Sequence, residues 1–91
     1  MNQTMQLKQS VDALAQRVVR MTEEYTRSGV ALWICQNGAT HVIPLTVREP
    51  ATRLKSHHCA LIGHYRAPCQ AIDIVDDIEW IVRQIRTGHL H

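Results

Sequence analysis

The chain contains no phenylalanine and no long apolar run, and both absences narrow the kind of protein it can be. No segment approaches the roughly 18 consecutive apolar residues of a membrane span. Yet 45% of the 91 residues are apolar and 20% are charged, a globular composition rather than a disordered or fibrous one. We therefore expect a single domain over residues 1–91, with a core of Leu, Ile and Val and at most one Trp.

Cysteine and glycine are also scarce, which bears on location and chemistry. Three cysteines cannot all pair within one chain, and the N-terminal segment lacks the apolar stretch of a secretory signal. We therefore predict a cytoplasmic protein with reduced thiols. The four glycines are isolated, so no phosphate-binding loop is predicted. The net charge of +2 lacks the dense basic stripe that is typical of nucleic-acid binders.

The segment SHHCALIGHYRAPC raises the question of a metal site. Structural zinc sites use closely spaced ligand pairs, such as two cysteines separated by two residues, and no such pair occurs here. On a strand, His58 and His64 would lie about 20 Å apart at roughly 3.3 Å per residue. We therefore predict exposed histidines, Cys59 as a small strand hydrophobe, and no metal, cofactor or catalytic residue. The segment leaves open whether any of four residues has a role: His57, His58, His64 and Cys69.

The hydrophobic spacing predicts an α+β protein with the order α-β-β-β-α. A long N-terminal helix, a small antiparallel sheet and a C-terminal helix are expected. Their predicted ranges are 4–28 for the first helix, 30–35 and 40–46 for a hairpin, about 58–65 for a third strand, and 73–86 for the last helix, with Asp73 as its N-cap.

Asn37-Gly38 predicts a two-residue hairpin turn, because a type I′ turn needs positive φ at both central residues. This turn would pair Trp33 with Val42. The core face would then hold Val30, Leu32, Ile34, Ile43 and Leu45, and the opposite face Trp33, Cys35, Thr40 and Val42. Pro44 favours an edge position for the second strand.

The first helix carries an apolar seam with spacing 4, 3, 4, 3, 4, which is the pattern of a coiled-coil interface. Its members are Leu7, Val11, Leu14, Val18, Met21 and Tyr25. The seam predicts a homodimer through this helix, through the exposed sheet face, or through both; packing inside the same chain is the alternative.

The last helix carries an isoleucine stripe of Ile74, Ile78, Ile81 and Ile85, flanked by Val75 and Val82. At about 100° per residue, Trp80 lies opposite this stripe, among polar residues. Tryptophan and arginine are the residues most enriched in binding hot spots, so Trp80 and Arg83 are candidate contact residues. Trp33 and Val42 join them if their sheet face is open; otherwise Trp33 belongs to the core.

These features predict a non-enzymatic cytoplasmic protein that binds and covers the surface of another protein, as a regulator or inhibitor. The alternative is a nucleic-acid-binding module that uses the basic connection 48–58, although the acidic start of the last helix, DIVDD, would repel phosphate. A metal-binding or thiol enzyme comes third.

Overall fold

A computed structural model describes residues 9–47, 54 and 58–87, apart from the side chain of Ile85. It confirms the α+β class and the predicted order of elements. The elements are α1 (Val11–Glu24), β1 (Val30–Cys35), β2 (Thr40–Pro44), β3 (Cys59–Tyr65) and α2 (Ala71–Arg86). The three strands form one antiparallel sheet in the order β2-β1-β3, so β2 lies at an edge as Pro44 indicates.

Helix α1 is shorter than predicted, since it begins at Val11 rather than at residue 4. Ser10 has extended backbone angles, and its hydroxyl oxygen accepts a hydrogen bond of 3.1 Å from the Ala13 amide. This is an N-cap, and it satisfies one of the amide donors that the first helical turn leaves unpaired. Residues 1–8 lie outside the described part of the chain. At its C-terminal end the helix stops at Glu24 rather than at residue 28.

Helix α2 begins two residues earlier than predicted, at Ala71. Asp73 is therefore in the first turn and not the N-cap, although its carboxylate still suits the positive end of the helix dipole. Arg83 and Arg86 lie in the last turn, as the dipole also favours. Neither helix among the described residues has the length and apolar character needed to cross a bilayer.

Both helices pack on one face of the sheet, and their apolar sides form the main core. Its members are Leu14, Ala15 and Val18 of α1, Val30, Leu32 and Ile34 of β1, Val42 of β2, and Ile74 and Ile78 of α2. The predicted burial of the isoleucine stripe is therefore confirmed for Ile74 and Ile78, whereas Ile81 is only half-buried. Burial of this apolar surface is the main driving force for the fold.

The other sheet face carries a second, smaller core of Ala31, Trp33, Cys35, Leu54 and Cys59. Leu54, a helical residue in the connection between β2 and β3, packs on this face. Because β1 is the central strand, its six residues alternate between the two cores and all six are buried. The sheet is therefore the middle layer of the chain.

The hairpin register differs from the prediction by one residue. The loop contains three residues, 36–38, and the Cys35 amide donates to the Ala39 carbonyl at 2.8 Å. Gly38 has a φ of +88° and its amide donates to the Cys35 carbonyl, as in a turn closed by a glycine bulge. The pairs are consequently Leu32 with Val42 and Ala31 with Ile43, not Trp33 with Val42.

A shift of one residue exchanges the two faces of a strand. Val42 therefore lies in the helix-covered core and Ile43 packs against the second core, the reverse of the prediction. Leu45, predicted to be core, is exposed. The asparagine-glycine pair signals a hairpin correctly but does not distinguish a two-residue from a three-residue loop.

Gly29 connects α1 to β1 at a point where the chain is tightly packed. Its φ is +79°, and a Cβ built at this position would lie 2.6 Å from the Tyr65 carbonyl oxygen. Such a contact is too short for any residue with a side chain. Glycine is therefore required here both by the backbone angle and by the closeness of β3.

Candidate functional site

The outer side of α2 presents Trp80, whose side chain is 53% exposed. On the opposite side of the same helix, Ile74 and Ile78 are fully buried. The helical phase predicted from the sequence is therefore confirmed for this residue. Arg83 lies one turn further along the helix and is also exposed.

The charges around Trp80 are distributed unevenly along α2. Its N-terminal half carries the exposed acidic residues Asp73, Asp76, Asp77 and Glu79. Its C-terminal half carries the exposed Arg83 and Arg86. The exposed indole thus lies where a negatively charged segment meets a positively charged one. We call the set Trp80, Asp76, Asp77, Glu79 and Arg83 the α2 surface.

Tyr65 fixes this surface to the sheet. The hydroxyl of Tyr65, at the end of β3, donates a 2.7 Å hydrogen bond to a carboxylate oxygen of Asp77 on α2. Burial raises the pKa of Tyr65, and the hydrogen bond and negative charge of Asp77 raise it further. The phenol therefore stays protonated and keeps donating at physiological pH.

Trp33 does not belong to an exposed surface. Its side chain is only 5% exposed and lies in the second core with Leu54 and the two buried cysteines. Val42 faces the helices instead, because of the register shift. The proposed Trp33–Val42 contact surface is therefore wrong, and Trp80 and Arg83 are the two predicted contact residues that the structure leaves exposed.

The apolar seam of α1 is largely used by the chain itself. Leu14 and Val18 are fully buried in the main core, and Val11 and Met21 pack against it. Tyr25 is exposed just after the helix, and Leu7 lies outside the described residues. The seam therefore offers little surface to a partner helix, which favours the alternative of packing within one chain.

A group of metal-binding residue types lies at the hairpin end of the sheet. Cys35 ends β1, Cys59 begins β3, and the two are directly paired across the strands. His41 of β2 is opposite Trp33, one position diagonally from Cys35 on the same face. One ligand atom from each of the three side chains lies within 4.8 Å of the other two. We call these three residues the hairpin-end cluster.

The cysteines of this cluster form a disulfide in the structure. The prediction of reduced thiols is thus wrong for Cys35 and Cys59 in this state. Sequence reasoning missed the pair because it looked for ligands close along the chain, whereas these residues are 24 positions apart. The signal that could have found them is that one cysteine ends a predicted strand and the other begins a strand.

The remaining histidine and cysteine residues of the 56–69 segment do not converge with this cluster. His58 and His64 are exposed, as predicted, and His57 lies outside the described residues. Cys69 is half-buried at the helix-covered side, with its sulfur 3.5 Å from the hydroxyl oxygen of Thr22. Of the basic connection 48–58, only Leu54 and His58 are described, so that alternative surface lies almost entirely outside the described residues.

Comparisons of the chain with protein-family models, with curated proteins and with solved structures gave no match.

Proposed function

We propose that this protein binds another protein through the α2 surface and acts as a regulator or inhibitor by covering part of that partner. The observation that carries the proposal is the 53% exposure of Trp80 on a helix whose opposite side is buried in the main core through Ile74 and Ile78. A large aromatic side chain held on a rigid element loses little conformational entropy when it is buried by a partner. The proposal therefore assigns binding rather than catalysis to this chain.

The charges of the α2 surface indicate the chemistry of the partner. Asp76 and Glu79 lie beside Trp80 toward the acidic end of the helix, and Arg83 lies toward the other end. A complementary partner has an apolar pocket for the indole with basic side chains on the rim that faces Asp76 and Glu79. The same carboxylates disfavour a nucleic acid on this surface, because they would repel its phosphates.

The proposal places the protein in the cytoplasm. There the thiol pool would keep Cys35 and Cys59 reduced, so the disulfide would represent the oxidised form of the chain. Rapid lysis of cells in a denaturant that contains an alkylating agent and a metal chelator, followed by mass spectrometry, tests this location. All three cysteines should be found alkylated; a Cys35–Cys59 disulfide that survives this treatment would argue for an oxidising compartment.

The experiment that tests the α2 surface compares capture by three forms of the protein from native lysate treated with nuclease. Wild type should retain a specific protein, Trp80→Ala should lose it, and Val47→Ala should retain it. Val47 is a suitable control because it is an exposed apolar residue just after β2, the edge strand that β1 separates from β3. With the purified partner, Trp80→Ala should weaken binding by about 2 kcal/mol or more, roughly 30-fold.

Three outcomes would contradict the proposal. They are equal capture by wild type and Trp80→Ala, capture by wild type of nothing beyond the background, and loss of capture on nuclease treatment. The last outcome would favour the nucleic-acid alternative. Binding to nucleic acid would also weaken steeply between low and moderate salt, whereas an apolar contact would change little.

The Trp80→Ala variant should remain folded, so that lost binding can be attributed to the surface. Because Trp80 fills no core position, its truncation should lower the free energy of unfolding by less than about 1 kcal/mol. Ile78→Ala, two residues earlier and fully buried, should cost about 2–5 kcal/mol. Urea melts of both variants measure this difference; a similar loss in the two would mean that Trp80 contributes to the core.

A further inference from the structure

The hairpin-end cluster combines two sulfur atoms and one imidazole on neighbouring strands. Cys35 and Cys59 face each other across β1 and β3, and His41 reaches the same place from β2. The three strands thus each supply one ligand from a rigid element. A metal site built on paired strands needs little rearrangement to hold its ligands in place.

The cysteine side of the cluster is buried, whereas the histidine side is partly open to solvent. The cysteines are buried, and Leu54 packs over the same face of the sheet. Ala39, opposite Cys35 in the hairpin, is small and packs against the same cluster of buried residues. His41 is only half-buried, so an ion could reach the cluster from its side.

We propose that, in the reduced protein, Cys35, Cys59 and His41 bind one Zn²⁺ ion. Two thiolates and an imidazole are the donor set that zinc prefers. In a tetrahedral site with Zn–S bonds of about 2.3 Å, ligand atoms lie about 3.4–3.8 Å apart. This separation falls within the 4.8 Å that spans the cluster. Three protein ligands leave the fourth position for water or another small ligand.

The zinc-bound form and the disulfide exclude each other, because the same two sulfur atoms take part in both. Reduction by a thiol of the glutathione class breaks the bond between the sulfurs of Cys35 and Cys59 and makes two thiols. Two molecules of the reductant each give one hydrogen atom and become joined as a disulfide. Zn²⁺ then displaces one proton from each protein thiol.

Cobalt provides the sharpest test, because thiolate–cobalt bonds have their own charge-transfer absorption. The full chain is reduced with a phosphine, freed of metal and titrated with Co²⁺ and then with Zn²⁺. We expect one equivalent of cobalt, thiolate charge-transfer bands, and displacement of the cobalt by zinc. The absorption bands distinguish this cluster from the protein's other histidines, which would bind the ion without sulfur.

Variants assign the ligands. Zinc affinity should fall in each of three variants: Cys35→Ser, Cys59→Ser and His41→Gln. Loss of a residue that only hydrogen-bonds to a metal ligand lowers affinity by about 10–100-fold, and loss of a ligand itself should lower it further. Cys69→Ser is the matched control, since it removes a thiol on the other side of the sheet, and it should bind as wild type does. Circular dichroism tests whether each variant is folded, and affinities are compared only among folded variants.

If the serine variants of the buried cysteines do not fold, the titrations of wild type and of His41→Gln are sufficient to test the proposal. The proposal is overturned if the reduced wild type, with all three thiols reactive, develops no thiolate–cobalt absorption. It is also overturned if folded His41→Gln binds zinc as tightly as wild type. Loss of the bands in Cys69→Ser alone would move the site elsewhere.

Discussion

Tyr65 is the residue through which β3 supports the exposed helix. Replacement with phenylalanine keeps the ring and removes only the hydroxyl that donates to Asp77. We expect Tyr65→Phe to lower the free energy of unfolding by about 0.5–1.5 kcal/mol, the usual net contribution of one hydrogen bond. Urea denaturation measures the loss, and Tyr25→Phe, at an exposed tyrosine, should show almost none.

The raised pKa of Tyr65 adds a dependence on alkaline pH. A pKa that is higher in the folded chain contributes stability that is fully present below the unfolded value of about 10. That stability is lost as the pH rises toward the folded value, because only the unfolded tyrosine ionises. Wild type should therefore lose more stability than Tyr65→Phe between about pH 9 and 11. Equal losses would show that folding does not change this pKa.

The two tryptophans show what the sequence can predict at single positions. Trp80 lies on a helix whose isoleucine stripe has a clear period, so its exposure follows from the angle between it and the stripe. Trp33 lies on a strand, where the period separates two faces without indicating which of them is covered. Its burial involves Leu54, a helical residue in the mostly polar connection between β2 and β3, and the period of β1 carries no information about that contact.

At the scale of elements, the hairpin loop offers a direct test of its length. Asn37 accepts a hydrogen bond of 2.9 Å from the Ala39 amide through its side chain. Asn37→Gly should therefore destabilise the protein by about 0.5–1.5 kcal/mol. In a two-residue type I′ turn the same change would be neutral or favourable, since both central residues would then have positive φ. Thermal or urea melts distinguish the two loops.

Gly38→Ala serves as the reference for this test. Gly38 has a φ of +88°, where a residue with a Cβ is disfavoured by about 1–2 kcal/mol. Both loop geometries predict a loss at this position. A stable Gly38→Ala variant would therefore contradict the observed turn itself and not only its length.

The start of α1 can be tested in the same way. Ser10→Ala should cost about 1 kcal/mol, because the Ala13 amide loses its acceptor. A helix starting at residue 4 would place Ser10 in its interior, where alanine is the better helix former and the change would be slightly stabilising. Gln16→Ala, at an exposed position of α1, should stay within about 0.5 kcal/mol of wild type.

The order and type of the elements could be predicted because each has a local signal. The isoleucine stripe marks α2, the asparagine-glycine pair marks the hairpin, and the seam marks α1. The predictions that failed, the start of α1 and the register of β2, depend on single hydrogen bonds. The Ser10 cap sets where α1 starts, and the bond between Cys35 and Ala39 sets the register of β2. Apolar spacing contains neither of these.

For the whole molecule, the homodimer stays a prediction. Leu14 and Val18 are used in the core of the single chain, so α1 no longer supports it. The sheet face opposite the helices, where Leu61 is exposed, is the remaining candidate interface. Light scattering at tens of micromolar should show twice the mass of the chain, and Leu61→Asp should reduce it. A monomeric mass for wild type would remove the dimer.

The hairpin-end cluster illustrates a kind of site that is invisible before the sheet is assembled. Cys35 and Cys59 are adjacent only because β3 pairs with the edge of β1 that β2 leaves free. His41 joins them only because of the register between β1 and β2. A one-residue slip of β2 would turn the imidazole to the helix side. The hydrogen bond that sets the hairpin register therefore also sets the composition of the site.

The complete burial of β1 has a consequence for how this chain can evolve. Drift from Val30 to Ile34 is limited by packing alone, so an invariant residue at these five positions says nothing about activity; Cys35 differs because it also belongs to the hairpin-end cluster. The outer side of α2 is under no such constraint, and Trp80 is free to change without cost to folding. Among divergent descendants of this gene, a tryptophan retained at position 80 would therefore record selection for contact with a partner.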